Sequence, residues 1–362
     1  MKIYFLIFIF IFLQNCSFDD KSGIWNNSDN IAKNKSVFKE FKKLTSTQQP
    51  FNKTIIFDEK ISLNLSNPIK NFEWKDIYYS ESNNLVNLNY KDLNEVIFRS
   101  KKITKFEINA PILFENNNLI MANIKGNITV FSINQNKIIM KFNFYKNKFK
   151  KIKKKLNLIV ENNVIYVADN FGYLYAYNYL DEKLLWAKNY NVPFRSNLKI
   201  YENIIFAANQ NNNLFFFDKQ SGEILKQIPT EETIVKNNFI NSLSLNEKNI
   251  FFLNTYGSLY SINLKSKRVN WFLNLNQSLD VNPSNIFYGS QLLNYGNKII
   301  ASSNQFLYVI NSNSGSIIMK KNFPILINPI IINDILFLVS KKNFLISLDL
   351  NKEEIIYSYD IN

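Results

Sequence analysis

The sequence of 362 residues contains no histidine and a single cysteine, Cys16. Without histidine, the chain cannot form a Ser-His-Asp or Cys-His catalytic site, a histidine-bearing zinc site or a histidine-based pH switch. One cysteine cannot form a disulfide bond within the chain. Catalysis by carboxylates remains open, so these absences disfavour an enzyme without excluding one.

Arginine is also scarce, because only three of the 43 basic residues are Arg and the other 40 are Lys. The net charge of +14 suggests nucleic-acid binding at first sight. Direct base readout favours arginine, however, and phosphate binding favours clustered charge. Lys, Asn, Ile and Phe are enriched together in AT-rich genomes, which explains much of the charge. We therefore do not expect a nucleic-acid partner.

The amino terminus carries an unbroken apolar run, IYFLIFIFIFL, at residues 3–13. A membrane-spanning helix needs about 20 such residues, whereas the run has the length of a signal-peptide core. Residues 1–15 are therefore predicted to be a signal peptide. The polar stretch that follows, up to residue 50, has no strand pattern and is predicted to be a flexible tether.

The position of Cys16, directly after this run, resembles a bacterial lipoprotein lipobox. The resemblance implies that Cys16 becomes the lipidated first residue. Gln14 and Asn15 stand where the lipobox pattern has small residues, so an ordinary signal peptide with an incidental cysteine is the alternative. Ser17, in place of an aspartate, implies the outer rather than the inner membrane.

From about residue 51 the chain repeats a pattern of short apolar runs separated by polar turns, which is typical of an antiparallel meander. Its clearest copies are LIMANIKGNITVFSINQNKIIM (119–140), VIYVADNFGYLYAYNYLDEKLLW (164–186), IIFAANQNNNLFFFDKQSGEILK (204–226) and NIFFLNTYGSLYSINLKSKRVNW (249–271). The first turn of each unit is marked by Asn83, Gly126, Gly172, Asn212, Gly257, Gln305 and Asn343. Gly222 and Gly315 mark second turns, where glycine tolerates a positive φ.

A unit of about 40–45 residues with four short strands is typical of a β-propeller blade. The sequence therefore predicts an all-β fold, a β-propeller over residues 51–362. Seven units are visible. An eighth blade would arise if Thr54–Phe57 or Ile61–Leu65 paired with the carboxy-terminal run, so we expect eight four-stranded blades, with seven as the alternative.

The copies ADNFGYLYAYNYLDEKLLW (168–186) and LNTYGSLYSINLKSKRVNW (253–271) resemble the quinoprotein-type propeller repeat. With the lipoprotein-like start, the chain resembles the BamB family, lipoprotein subunits of the machinery that inserts β-barrel proteins into the outer membrane. The resemblance implies a non-enzymatic scaffold, anchored to the periplasmic face of that membrane. It also implies a monomer within a hetero-complex that contacts the periplasmic domains of BamA and nascent barrel proteins.

Quinone-dependent dehydrogenases share the repeat and are the enzymatic alternative. Members of that class hold calcium beside the quinone with clustered carboxylates and often carry adjacent cysteines. The sequence shows one cysteine and no cluster of acidic residues with metal-ligand spacing. We therefore expect neither a metal nor a cofactor.

A third possibility is a module that binds another ligand of the envelope. The segment from Lys141 to Lys155, KFNFYKNKFKKIKKK, holds eight lysines interspersed with phenylalanines. Such a segment would attract anionic lipid head groups or lipopolysaccharide. The alternative is a solvated loop between blades.

The BamB resemblance also implies a partner-binding loop with an apolar-x-apolar-Arg pattern. Val192, Phe194 and Arg195 match it by residue type. An exposed aromatic side chain beside an arginine is typical of interface hot spots. The alternative is that Val192 and Phe194 pack between blades while Arg195 is a solvated charge. The family's second contact loop has an Asp-x-Asp element, which is absent near Glu231 and Glu232, so no residue is assigned to it.

Overall fold

The computed structural model describes residues 50–362 apart from 59–60, 62, 72, 91–95, 97, 109–110, 146–148, 233–238 and 277–286. The predicted signal peptide, Cys16 and the tether up to residue 49 lie outside the described residues. Pro50–Asn362 forms one compact unit. No helix among the described residues is long and apolar enough to cross a membrane.

The described residues form six four-stranded antiparallel sheets and no helix. Within each sheet the strands follow one another in chain order, as in the predicted meander. The first three sheets are β1 (Leu113–Glu115), β2 (Asn118–Ala122), β3 (Asn127–Ser132) and β4 (Lys137–Asn143); β5 (Leu156–Glu161), β6 (Val164–Asp169), β7 (Tyr173–Asn178) and β8 (Lys183–Asn189); and β9 (Lys199–Tyr201), β10 (Ile204–Ala208), β11 (Leu214–Asp218) and β12 (Ile224–Ile228). The other three are β13 (Ser242–Leu245), β14 (Asn249–Leu253), β15 (Ser258–Asn263) and β16 (Val269–Asn274); β17 (Leu293–Tyr295), β18 (Lys298–Ser302), β19 (Leu307–Asn311) and β20 (Ile317–Lys321); and β21 (Ile330–Ile332), β22 (Ile335–Val339), β23 (Phe344–Asp349) and β24 (Glu354–Asp360).

Burial falls from the first strand of each sheet to the last. All four residues of β13 are buried, whereas four of the five residues of β12 are exposed. Most residues on both faces of the two middle strands are buried, and every residue of β14 is buried. Residues buried on both faces are expected where each sheet is packed between two others. This is the arrangement of propeller blades, so the predicted all-β propeller class is confirmed.

The turn residues explain why the meander repeats. Six of the predicted first-turn residues lie in the sheets, and five of these six have a left-handed backbone, with φ between +58° and +100°: Gly126, Gly172, Asn212, Gly257 and Asn343. Glycine, and to a lesser degree asparagine, adopts this conformation at low cost. Gly222 and Gly315 have a φ of 74° at the second turns, as predicted.

The core is divided among five apolar clusters, each of which joins one sheet to the next. Two tryptophans reinforce this packing in the same way. The indole nitrogen of Trp186 on β8 donates a hydrogen bond to the Lys219 carbonyl at 3.1 Å, in the second turn of the third sheet. That of Trp271 on β16 donates to the Ser312 carbonyl at 3.1 Å, in the fifth sheet. The large side chain predicted at this place in each unit therefore does pack between blades here.

A segment from residue 73 to residue 84, here called the axial segment, lies where the first strands of the sheets converge. It contacts the six innermost strands in chain order: Trp74 with β1, Lys75 with β5, Asp76 with β9, Glu81 with β13, Ser82 with β17 and Asn84 with β21. Most of these contacts are backbone hydrogen bonds, such as that from the Leu245 amide to the Glu81 carbonyl at 2.9 Å. The axial segment therefore occupies the centre of the ring of sheets.

This position corrects one sequence interpretation. Asn83 was expected to mark the first turn of a blade, and its φ of 60° is left-handed as predicted. Its side chain instead donates hydrogen bonds to the Leu243 and Leu292 carbonyls, at 2.8 and 2.7 Å, from within the axial segment. The described residues thus hold six four-stranded blades, and the part of the chain before Leu113 contributes the axial segment.

The amino-terminal side of the described unit pairs with the last sheet, as one predicted closure required. Ile55 and Ser358 on β24 exchange backbone hydrogen bonds of 3.0 and 2.9 Å. The Phe51 ring packs edge-on against Phe323 and Phe344. The pairing covers the outer edge of the sixth sheet rather than building a separate four-stranded blade from the described residues.

Candidate functional site

The predicted partner-binding residues lie on a loop of residues 190–197 between β8 and β9, here called the partner loop. Backbone hydrogen bonds hold it against the first turns of two sheets. The Phe194 amide donates to the Asp169 carbonyl at 2.9 Å, and the Gln210 amide donates to the Pro193 carbonyl at 2.8 Å. A Cβ on Gly172 would lie 2.9 Å from the backbone nitrogen of Val192, so glycine is needed for this close approach. The loop is therefore a fixed feature of the propeller face.

Phe194 is not the exposed aromatic side chain that the sequence predicts. Its side chain is only 4% exposed and belongs to the cluster between the second and third sheets. The ring centroid lies 5.9 Å from that of Tyr190 and 5.9 Å from that of Phe217, edge-on to both. Val192 is half-buried. The alternative of packing between blades is therefore right for the Phe194 ring, and Phe194 supports the loop from below.

Arg195 is half-buried rather than solvated. Its guanidinium Nη2 donates a hydrogen bond to the Phe239 carbonyl at 3.0 Å, in the connection that leads to β13. Its carbonyl accepts a hydrogen bond from the Asn241 amide at 3.0 Å. Burial lowers the pKa of Arg195, but a guanidinium stays charged at any physiological pH. The residue thus joins the partner loop to the next connection while carrying a positive charge near the surface.

Glu231, close to the second contact loop of the family, is held by its own chain. Tyr260, Asn254 and Ser258 donate hydrogen bonds to its carboxylate, at 2.8, 3.1 and 3.2 Å respectively. Although burial acts in the opposite direction, these bonds lower the pKa of Glu231 below 4.5. Neighbouring Glu232 is exposed. Glu231 therefore has a structural role in the fourth sheet.

The basic segment from Lys141 to Lys155 splits into two kinds of lysine. Lys154 is only 2% exposed, and its ammonium donates to the Phe149 carbonyl at 2.6 Å and lies over the Tyr145 ring. Burial and nearby Lys125 lower the pKa of Lys154. Exposed lysines at positions 141, 150, 151, 153 and 155 remain available to solvent. Lys146 and Lys148 lie outside the described residues.

A buried ion pair that the sequence did not reveal lies at the centre of the ring. The ammonium of Lys199, fully buried on β9, lies 2.6 Å from the carboxylate of Asp76 on the axial segment. It also donates a hydrogen bond to the Ser80 carbonyl at 2.7 Å. Burial lowers the pKa of Lys199, while Asp76 and Glu81 act against that shift. A lysine inside the apolar run LKIY was the signal that could have revealed it.

The described residues contain no group of three acidic or cysteine side chains close enough to hold a metal ion. The face that carries the partner loop instead presents rigid loops, supported by the buried Phe194 ring and carrying the positive charge of Arg195. It offers surfaces for contact with another molecule.

Comparisons with known proteins agree with this architecture. Residues 125–359 match the family model described as outer membrane protein assembly factor BamB. The crystal structure of BamB from Moraxella catarrhalis is similar, with a TM-score of 0.57 and 11% identity over 69% of this chain and 75% of that chain. The computationally designed Ika8 protein has a TM-score of 0.55 and 12% identity, over 70% of this chain and 74% of that chain. No curated protein matches the sequence. At such identities the structural likeness supports the fold alone, but the family model covers more than half of the chain, and the chain therefore belongs to the family of outer membrane protein assembly factor BamB.

Proposed function

We propose that the protein is a non-enzymatic scaffold of the machinery that assembles β-barrel proteins in the outer membrane. In this proposal Cys16 carries the lipid anchor, and the propeller lies at the periplasmic face of that membrane. The partner is the set of periplasmic domains of BamA. A shared membrane surface raises the effective concentration of both proteins, so a weak contact suffices.

The observation that supports this proposal best is the rigid partner loop. Arg195 is tied to the Phe239 carbonyl, and the Phe194 ring fixes the loop to the core. A binding surface that is already ordered loses little conformational entropy when it meets its partner. Val192 and Arg195 are then the residues that touch BamA, and Phe194 positions them.

A pull-down of the full-length protein in detergent with the periplasmic domains of BamA tests the proposal. Arg195→Glu reverses the charge, and Val192→Glu places a charge on the same loop without removing the Phe239 contact. Arg268→Glu is the matched control, because Arg268 is exposed in the turn between β15 and β16. We expect both loop variants to lose binding and the control to retain it.

If both loop variants still bind, the scaffold role is supported but the partner loop is excluded as the contact site. Failure of the folded wild type to bind would discard the scaffold role itself. Circular dichroism spectra of all variants would separate these outcomes from loss of fold.

A further inference from the structure

The described chain enters the propeller on the face that carries the partner loop. This face is formed by the first turns of the sheets and by the connections between sheets. Phe51 packs edge-on against Phe323 and Phe344, with ring centroids 5.4 and 6.3 Å away, in the fifth-to-sixth connection and beside the first turn of the sixth sheet. Its amide donates a hydrogen bond to the Asn322 carbonyl at 3.3 Å. A lipid on Cys16 would therefore be joined to the propeller through Pro50 on this face.

Two large aliphatic side chains are exposed beside this entry point. Leu326 and Ile327, in the connection from β20 to β21, are 54% and 56% exposed. The same connection begins with Asn322 and Phe323, which are the residues that Phe51 contacts. The exposed aliphatic pair thus lies next to the place where the described chain begins.

The connection that bears this pair is held in place by backbone hydrogen bonds to the sixth sheet. The Leu326 amide donates to the Val339 carbonyl at 2.8 Å. The Lys341 amide donates to the Pro324 carbonyl at 2.7 Å. Between these two contacts Ile325 is buried in the core between the fifth and sixth sheets. The exposed side chains therefore cannot withdraw into the core without breaking this pairing.

Lysines lie next to the exposed aliphatic pair. Lys341 and Lys342 are exposed in the turn between β22 and β23, and neither makes an ion pair within the described part of the chain. The Lys341 ammonium lies 5.4 Å from the centroid of the Tyr288 ring. Exposed Lys320, near the end of β20, lies 4.3 Å from the centroid of the Phe306 ring in the first turn of the fifth sheet. Three positive charges are thus placed on this part of the face.

Acidic residues do not balance these three charges. Asp360, which is paired with Phe344 at the end of β24, offsets one of them. The turns and connections of the fifth and sixth sheets on this face contain neither Asp nor Glu at residues 287–292, 303–306, 322–329 and 340–343. This apolar and positively charged surface is here called the entry patch, and it consists of Lys320, Leu326, Ile327, Lys341 and Lys342.

The entry patch has the chemistry that an anionic bilayer surface attracts. Aliphatic side chains gain free energy when they leave water for the boundary between head groups and acyl chains, and lysines are attracted to negatively charged head groups. We propose that the entry patch binds the anionic surface of the membrane, with Leu326 and Ile327 inserted at the level of the head groups and the lysines at the lipid phosphates. A lipid on Cys16 would keep the patch close to that surface, so a weak contact suffices.

This proposal rests on the membrane anchor of the proposed function and adds an orientation to it, because the partner-loop face is then turned towards the bilayer. The partner loop lies between the second and third sheets, whereas the entry patch lies at the fifth and sixth. The third and fourth sheets stand between the two surfaces. Contact with the membrane and contact with BamA therefore do not compete for the same residues.

Vesicle binding by the chain without its predicted signal peptide tests the proposal. Cys16→Ser prevents lipidation, so that a lipid anchor does not contribute to binding. The probes are vesicles made of equal parts of phosphatidylethanolamine and phosphatidylglycerol, and vesicles of phosphatidylcholine serve as the uncharged comparison. Sedimentation of the vesicles gives the partition coefficient of the protein.

Two double variants separate the apolar contribution from the charged one. Leu326→Ser with Ile327→Ser removes the aliphatic pair, and Lys341→Gln with Lys342→Gln removes two positive charges. We expect each to lower the partition coefficient on the anionic vesicles about tenfold. We also expect the wild type to bind these vesicles more tightly than phosphatidylcholine vesicles, and to bind them less tightly as salt is added.

Matched controls carry the same substitutions away from the entry patch. Ile224→Ser with Leu225→Ser changes two aliphatic residues on β12 that are each 44% exposed. Lys265→Gln with Lys352→Gln changes two exposed lysines in second turns, at the other end of the sheets. Both controls should bind as the wild type does. Absence of binding by the folded wild type would overturn the proposal, as would entry-patch variants that bind as well as the wild type.

Insertion of the aliphatic pair can be measured directly. Because Cys16 is the only cysteine in the sequence, Cys16→Ser leaves Ile327→Cys as a single site for a dye that is sensitive to its environment. The emission of the dye should shift to shorter wavelength on anionic vesicles, whereas the same dye on Ile224→Cys should not respond. A shift at both positions, or at neither, would contradict insertion at the entry patch.

The vesicle experiment contains no BamA and the pull-down contains no vesicles, so either proposal can fail without the other. The variant with Leu326→Ser and Ile327→Ser should still bind BamA. Loss of BamA binding with unchanged vesicle binding would assign the entry patch to the protein partner and overturn its assignment to the membrane. Circular dichroism spectra of all variants would separate these outcomes from loss of fold.

Discussion

The ammonium of Lys199 and the carboxylate of Asp76 lie 2.6 Å apart at the centre of the ring, although 122 residues separate them in the sequence. Both side chains are almost completely removed from solvent. Two buried charges are tolerated only when each neutralises the other, and the additional hydrogen bond from Lys199 to the Ser80 carbonyl helps to meet that requirement. The pair thus fixes the axial segment to the third sheet.

Removal of one charge should therefore destabilise the folded protein more than removal of both charges. We expect Lys199→Met to lower the free energy of unfolding by about 3–5 kcal/mol, because Asp76 is left buried without a counter-charge. Asp76→Leu combined with Lys199→Met should recover part of that loss. Urea unfolding followed by tryptophan fluorescence measures both. A double variant no more stable than Lys199→Met would show that the pair contributes through packing alone.

The packing of Trp186 against Gly222 gives a second expectation. Gly222 and Gly296 both have a positive φ, of 74° and 55°. A Cβ on Gly222 would lie 2.6 Å from the Trp186 ring, whereas a Cβ on Gly296 meets nothing within 4 Å. Gly296→Ala should cost about 1 kcal/mol of stability through its backbone alone. Gly222→Ala should cost about 1–3 kcal/mol more through overpacking.

A double-mutant cycle isolates that steric part. In a Trp186→Ala background the ring is gone, so the extra cost of Gly222→Ala over Gly296→Ala should vanish. Thermal unfolding of the wild type, the three single variants and the two double variants gives the comparison. An extra cost that persists without the ring would mean that the close approach of Trp186 is not its cause.

Glu231 makes stability depend on pH in the acid range. Because hydrogen bonds outweigh burial and hold the pKa of this carboxyl below its ordinary 4.5 in the folded protein, the unfolded chain binds the proton more readily. The stabilisation is therefore complete above pH 4.5 and is lost as the pH falls through the folded-state pKa. Glu231→Gln should be less stable than wild type by about 1 kcal/mol at pH 7.

The difference between Glu231→Gln and wild type should narrow as the pH is lowered from 5 towards 3. Glu232→Gln, an exposed neighbour, is the control and should follow wild type throughout. Urea midpoints measured at each pH supply the test. A constant difference across the range would indicate that Glu231 acts through its shape rather than its charge.

Local signals made the blades predictable. The turn glycines Gly172 and Gly257, and the buried aliphatic residues two positions later, Leu174 and Leu259, form a pattern that is visible within a single hairpin of the sequence. Strand periodicity and turn chemistry therefore determined the fold class from the sequence.

The axial segment was not predictable in this way. Asn83 and Asn84 donate to the carbonyls of Leu243, Leu292 and Ile331, which are 160 to 247 residues away. Such contacts leave no periodic pattern, and the local sequence of the segment resembles a turn between strands. Phe194 was misplaced for a related reason, because residue type alone does not distinguish an aromatic that faces a partner from one that faces the next blade.

The order of contacts along the axial segment has a consequence for biogenesis. Residues 73–84 precede all six sheets in the chain and meet them in the order in which they are synthesised. The axial segment is thus synthesised before the sheets, and each completed sheet can pack against a segment that already exists. A deletion that removes these twelve residues would take one contact from every sheet at once. Loss of any single sheet, in contrast, would leave the axial segment in contact with the other five.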